Sequence, residues 1–189
     1  MNKVVAQELK VGCCLISPPA MKDPRFAKSV VLLTAHGRDG AMGFILNKPT
    51  NFSIAQITES DDFRKIGDYE VNWGGPVHTN VVHMLHTKDW QTDRTKNIND
   101  SISITSDGMM FRYLENGAMP NQWKAFLGFS SWSGNQLEGE LSGQQPWDPN
   151  QSWLILRNPT AEMMFNLDGE EMWNEALNFC SKQAVNDWF

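Results

Sequence analysis

Residues 29–35, SVVLLTA, form a continuous apolar run rich in β-branched side chains. A run of that kind reads as a central strand covered on both faces. Turn chemistry follows at Gly37-Arg38-Asp39-Gly40, and AMGFILN (41–47) returns as a second apolar run. Residues 29–47 therefore predict a β-hairpin with a four-residue loop. Lys48-Pro49 closes it, because proline cannot donate to a ladder. Whatever else the chain builds has to cover both sides of this hairpin.

The remaining segments are short and irregularly ordered. VGCCLIS (11–17) reads as a buried strand that leaves the sheet at Pro18-Pro19. Ser53 is placed to cap a short helix over 53–57. Residues 69–73 and 80–86 read as strands on either side of Gly74-Gly75-Pro76. Residues 101–105, SISIT, alternate polar and apolar, which predicts a half-exposed strand. Residues 107–115 read as a helix capped by Asp107 and stopped by Asn116-Gly117. Residues 123–130 and 152–156 are further apolar strands. From Glu170 to about Ala184, apolar Trp173, Leu177, Cys180 and Ala184 recur at three- and four-residue spacing, the pattern of an amphipathic helix with an acidic start. Short helices interrupt the strands without a βαβ rhythm, and at least one neighbouring pair is antiparallel, so the class is α+β. With no linker-like stretch and no internal repeat, residues 1–189 read as a single domain.

Composition excludes several alternatives. A chain of 189 residues with 41% hydrophobic and 20% charged content can bury a core without disulfides. No stretch approaches the roughly 18 apolar residues of a membrane span, and the N-terminus lacks a signal-like apolar run, so a cytoplasmic protein without membrane contact is expected. Three cysteines, two of them adjacent, do not make a disulfide framework; Cys13 and Cys14 should point to opposite faces of a strand as small core residues. Residues 1–48 hold seven Lys/Arg against three acidic residues, whereas the remainder holds nine against nineteen. The seven are scattered rather than striped, which favours a solvated face over a nucleic-acid site.

His78, His83 and His86 fall within nine positions. On a strand, His83 and His86 point to opposite faces, whereas a zinc site needs ligands converging on one ion. No native metal site is expected. His36 stands where a buried strand meets a turn and is the better functional candidate. The glycines at 37, 40 and 43 lack the Gly-Lys-Ser/Thr of a phosphate loop, and residues 128–134 put Trp132 where a nucleophile elbow needs glycine. The eight tryptophans are explained chiefly by core packing, with Trp147, in a loop-like segment, the one expected to be exposed.

Taken as a set, residues 18–26 (PPAMKDPRF), Ser29 to Leu33, His36, Gly40 to Gly43 and Asn47-Lys48-Pro49 resemble the opening signature of the bacterial AlgH/YqgE family. Gly74-Gly75-Pro76-Val77 with Leu85-His86, the run 128–138 (GFSSWSGNQLE), Ser152-Trp153-Leu154 and Glu171-Met172-Trp173 with Ala176-Leu177 match its later blocks in order. Two departures stand out. Residues 142–150 read as an insertion, and Thr34-Ala35 replaces a stretch where the family often has an acidic residue, which removes a nearby carboxylate to orient His36. The resemblance implies a bent, mixed but largely antiparallel sheet curled toward a pseudo-barrel with flanking helices, with no established activity and no cofactor. Some members are described as transcriptional regulators, but this chain has no helix-turn-helix signature and a pI near 5.2.

Three functional readings follow. The first is a non-catalytic regulatory or interaction module, with a protein partner, whose surface gathers Asp23, Pro24, Asn47, Lys48, Pro49, Gly74, Gly75, Pro76 and His86. The second is a ligand binder or enzyme built on His36 and His86 beside the glycine turns. The third is a weak nucleic-acid binder acting through the basic residues of 1–48.

Overall fold

The computed structural model describes residues 9–186. Residues 1–8, which include Lys3 of the basic first quarter and most of the N-terminal stretch used to exclude a signal, lie outside the described residues, as do 187–189. Ten strands form one sheet: β1 (Cys14–Ile16), β2 (Val30–Gly37), β3 (Gly40–Ile45), β4 (Pro49–Ser53), β5 (Glu70–Trp73), β6 (Val77–Thr87), β7 (Lys96–Asn97), β8 (Ile102–Thr105), β9 (Trp123–Ser133) and β10 (Leu154–Leu156). Among the described residues five α-helices accompany them: α1 (Ile54–Thr58), α2 (Met110–Glu115), α3 (Gln136–Ser142), α4 (Ala161–Asn166) and α5 (Gly169–Asn186). None of these helices is long and apolar enough to cross a membrane.

The strands run β10-β1-β2-β3-β9-β6-β8-β7, all neighbours on this path antiparallel, while β5 adds itself parallel to β9 and carries β4. The class is α+β with a largely antiparallel mixed sheet, as expected. Strand β9 is the trunk. One of its edges takes β6, and the other takes β5 on residues 125–127 and then β3 on residues 130–133. The sheet therefore branches, and glycine makes the branch possible. A Cβ on Gly74 would lie 2.4 Å from the Gly128 carbonyl oxygen, one on Gly75 2.3 Å from the Phe129 carbonyl carbon, and one on Gly128 2.6 Å from the Gly75 oxygen. Gly128 also takes φ +68°, a conformation costly for other residues. Through this contact Gly74 joins three strands: its N–H donates to the Leu127 carbonyl (2.8 Å), and its own carbonyl accepts from the Ile45 N–H (2.9 Å).

The β7 end of the strand path returns to β2 and β1, near its other end. Lys96 Nζ of β7 donates to the Thr34 carbonyl of β2 (3.2 Å), and Asn99 packs against Gly12, just before β1. This closure is the curl toward a barrel. Side chains alternate between two sealed layers: Cys14, Ile16, Val30 and Leu32 face a core with Met172, Trp173 and Ala176 of α5, while Cys13, Leu15, Val31 and Leu33 face Leu137 and Leu141 of α3. A third core gathers Ile54 of α1, Met84 of β6 and Leu114 of α2. The adjacent cysteines occupy opposite faces, and burial raises the Cys13 thiol to about 11.

Several local expectations change. The hairpin of β2 and β3 closes over two residues, Arg38 and Asp39, because Gly37 and Gly40 pair as strand residues. Pro49 opens an additional edge strand, β4, instead of ending pairing, since a first strand position needs no donor there. Strand β8 is buried on both faces; its hydroxyls are satisfied internally, Ser103 Oγ donating to Asn97 Oδ1 (2.9 Å) and Thr105 Oγ1 meeting Thr92 Oγ1 (2.9 Å). Asp107 does not cap a helix but holds the preceding turn, accepting from the Met109 N–H, so α2 starts later. The buried stripe of α5 ends at Gln183 rather than the exposed Ala184; Gln183 Nε2 donates to the Ile155 carbonyl (2.9 Å) and so ties the helix to β10. Ser53 does cap α1, in a capping box with Gln56.

Replacing Gly74 with Ala should lower unfolding free energy by at least about 3 kcal/mol, because backbone rather than a movable side chain blocks the new methyl. Replacing Gly108 with Ala, where a Cβ would meet nothing within 4 Å, should change it by no more than about 0.5 kcal/mol. Urea denaturation of the two variants checks both values.

Candidate functional site

Where β9 ends, Asn135 takes a left-handed turn (φ 63°) and starts α3, which sets Gln136 and Glu140 on one helical face, four residues apart. That face meets two indoles. Glu140 Oε2 accepts from Trp132 Nε1 (3.0 Å) and from Trp153 Nε1 (2.8 Å), and Oε1 accepts from Gln136 Nε2 (2.9 Å). Trp132 and Trp153 are almost wholly buried, and a buried indole N–H needs an acceptor. The two rings meet edge to face at 6.2 Å, and Phe26 stands edge-on to Trp153 at 5.7 Å. Trp147 comes from the following loop and lies flat on α3, where Gly139 makes room: a Cβ there would sit 2.4 Å from the indole ring.

These rings enclose a cleft of about 590 Å³ whose walls also include Met21, Pro76 and Val77 and whose charged groups are Asp23, Arg25, Glu140 and Asp148. That volume lies within the range of small-ligand sites, about 300–1,000 Å³. The Arg25 guanidinium forks onto Asp23, Nη2 to Oδ2 at 2.7 Å and Nε to Oδ1 at 3.0 Å, and this hydrogen bonding holds the Asp23 carboxyl below its usual range. The backbone N–H of Asn150 and then the Gln151 amide do the same for Asp148. Lys22 reaches Asp148 at 3.3 Å from an exposed position.

The residues expected to form a surface site divide into three groups. Asp23 and Pro76 line the cleft. Pro24, Asn47 and Lys48 support its lip: Lys48 Nζ donates to the Pro24 and Arg25 carbonyls (3.2 and 2.7 Å), and Asn47 accepts the Val30 N–H while donating to the Lys28 carbonyl. Lys48 also lies over the Trp73 ring at 5.8 Å, and burial lowers its pKa. Gly74 and Gly75 are buried at the sheet branch, and Asn47 is buried too, so none of the three offers contact area. Pro49 is exposed at the start of β4.

His36 and His86 belong elsewhere, which corrects the reading that joined them. Across the sheet His36 aligns through Ala41 with Trp132, whereas His86 pairs with Trp123; those positions are nine residues, roughly 30 Å, apart along β9. His36 Nε2 lies 2.7 Å from Glu138 Oε1. A carboxylate does meet His36, then, but it comes from α3 and not from the adjoining strand. Glu138 sits two residues from both Gln136 and Glu140, hence off the cleft-lining face of the helix. His86 is fully buried, donating Nδ1–H to the Thr87 carbonyl (2.8 Å) and standing edge-on to Trp90, so it is no surface residue. His83 lies on the other face against Phe44 and Phe129. Among the described residues no group of three His, Cys, Asp or Glu side chains could hold a metal ion.

The sequence reading missed Glu140, and it expected Trp147 to be exposed, whereas that ring is half-buried on Gly139. Helix α3 went unread because Gly139 and Gly143 depress helix propensity. The signal available was the four-residue spacing of Gln136 and Glu140 beside Trp132. Segment 142–150, expected as an insertion, supplies Pro146, Trp147 and Asp148 to the cleft.

Burial pushes His83 and His86 below the ordinary histidine range. The unfolded chain therefore takes up protons first, so this stability is complete above about pH 6.5 and is lost as pH falls through the lowered folded values. The urea midpoint should drop between pH 7 and pH 5, and the drop should be shallower in a variant carrying His83→Gln and His86→Gln.

An AlgH-like family model matches residues 14–184. A UPF0301 protein of Rhodospirillum rubrum is 35% identical over 70% of this chain and 71% of its own length, and one of Pasteurella multocida is 33% identical over 86% of each. The solution structure of AlgH from Pseudomonas aeruginosa superposes with TM-score 0.73 at 26% identity, covering 88% of this chain and 86% of that one. A crystal structure of a Corynebacterium diphtheriae protein shares the fold with TM-score 0.70 at 18% identity over 90% and 86%.

Proposed function

The chain belongs to the AlgH-like family, and on that premise we propose that it is a non-catalytic interaction module with a regulatory role, which engages a partner protein at the aromatic cleft. The observation that carries this reading is the make-up of the cleft wall. It presents Phe26, Trp132, Trp147 and Trp153 with no histidine, cysteine or lysine among the lining residues, so its one hydroxyl nucleophile candidate, Ser131, has no imidazole or amine base beside it in the wall. Its rim carboxylates Asp23 and Asp148 are held below their usual range and remain ionised near neutrality, which makes them poor proton donors. Rigid aromatic rings framed by charges are the surface composition that anchors protein partners.

A protein rather than a nucleic acid suits the charge distribution. Of the basic residues in the first quarter, Lys22, Arg25 and Lys28 are paired with Asp148, Asp23 and Glu170, and Lys48 is spent on backbone carbonyls. Phosphate contacts would have to break these arrangements. In this reading any effect on transcription runs through the partner. The reading also has the protein acting in the cytoplasm, which its three unpaired cysteines suit.

Pull-down from a cognate lysate should recover a partner with the native protein and with a Lys88→Glu control. Trp147→Ala, which removes a cleft wall, and Lys48→Glu, which releases the lip, should each reduce recovery at least about tenfold, the loss of a hot-spot anchor. A partner recovered equally by all four proteins would overturn the assignment to the cleft.

A further inference from the structure

We infer that the cleft beneath Trp147 is a receptor for an organic cation, an ammonium or guanidinium group of the kind a partner presents on a lysine or arginine side chain. The inference rests on the interaction reading above and names the chemistry of what enters.

Glu140 is the centre of it. Its carboxylate accepts three hydrogen bonds, and all three donors, the two indoles and the Gln136 amide, are neutral. Such donors orient a carboxylate without cancelling its charge. Among the described residues no Lys, Arg or His makes an ion pair with Glu140. A partly buried anion among aromatic rings costs desolvation that a cation nearby would recover, and the chain does not supply that cation. A carboxylate has about four lone-pair directions; three are used, and the one left, on Oε1, is free for a further donor.

The surroundings repeat the preference. The cleft carries three carboxylates, Asp23, Glu140 and Asp148, against one cationic group, Arg25. Arg25 is already forked onto Asp23 through Nη2 and Nε and Asp148 is met by the exposed Lys22, so an incoming anion would meet the Glu140 charge unopposed. Phe26, Trp132, Trp147 and Trp153 supply π-rich walls, and tryptophan is the ring that attracts cations best. A purely apolar ligand would gain ring contact but leave the Glu140 charge more desolvated and still without a counter-charge.

The test uses the whole protein and the indole N–H signals of Trp132, Trp147 and Trp153 in a two-dimensional NMR titration. Probes are choline, N-acetyl-lysine methylamide and the uncharged isostere of choline, 3,3-dimethylbutan-1-ol. Both cations should shift these signals saturably, with the neutral alcohol at least tenfold weaker. Glu140→Gln, which keeps an acceptor for the indoles, should weaken choline binding at least tenfold, and Asp148→Asn, a change at the half-buried rim that keeps an oxygen for the Asn150 N–H, should weaken it about threefold with the spectrum otherwise intact. Equal binding of alcohol and choline, or no saturation with either cation in the millimolar range, would sink the inference, and that comparison needs no variant. Should the alcohol match choline while Trp147→Ala still loses the partner, the cation chemistry fails and the interaction reading stands. Should choline bind as expected while the partner ignores every cleft variant, the interaction reading fails and the cation site stands.

Discussion

Everything in this protein hangs on a place where backbones pass without side chains between them. Gly74, Gly75 and Gly128 bring the turn before β6 onto the middle of β9 at separations that a Cβ on any of the three would violate. Because that contact exists, β9 can give up β5 on one edge and take β3 a few residues later. A continuous flat ladder would have kept the two halves of β9 in one plane. The branch turns the second half, and with it Ser131 and Trp132, toward Pro76 and Val77, which follow the glycines directly and form the facing wall of the cleft.

The cleft itself answers two needs with one group. Trp132 and Trp153 fill the core under α3, and their indole N–H groups have to be satisfied where water is scarce. A backbone carbonyl would do this at lower desolvation cost. The chain uses Glu140 and so fixes a negative charge at the base of an aromatic hollow, an arrangement better explained by what can enter the hollow than by stability. The lip is held with similar economy. Loop 18–29 makes no ladder of its own, and Asn47 and Lys48, at the exit of β3, take its otherwise unpartnered backbone groups at Lys28, Pro24 and Arg25.

The histidines illustrate the opposite outcome. Clustered in sequence, they are dispersed in space, since period-two alternation sends His83 and His86 to different cores. The one imidazole that meets a carboxylate, His36, does so across 102 residues of chain. The reading that failed joined His36 to His86, which lie far apart in sequence and on the sheet, whereas the divergence of His83 from His86 read from strand geometry was sound.

What the residues determined unaided was local. The two-face burial of 30–33, the short strands, the capping of α1 by Ser53, the amphipathic C-terminal helix and the divergence of His83 from His86 follow from side-chain periodicity and turn chemistry, which act over a few residues. The family blocks were legible as well, and four of them, at 18–26, 74–77, 128–138 and 152–154, contribute residues to the cleft or its walls. Tertiary structure alone decided that they meet. Bringing Phe26, Trp132, Glu140 and Trp153 together requires the glycine branch, the closure of β7 onto β2 and a helix whose own glycines hide it from propensity. Those are contacts between distant segments, whose energy is realised only once the sheet has curled, and no local pattern records them.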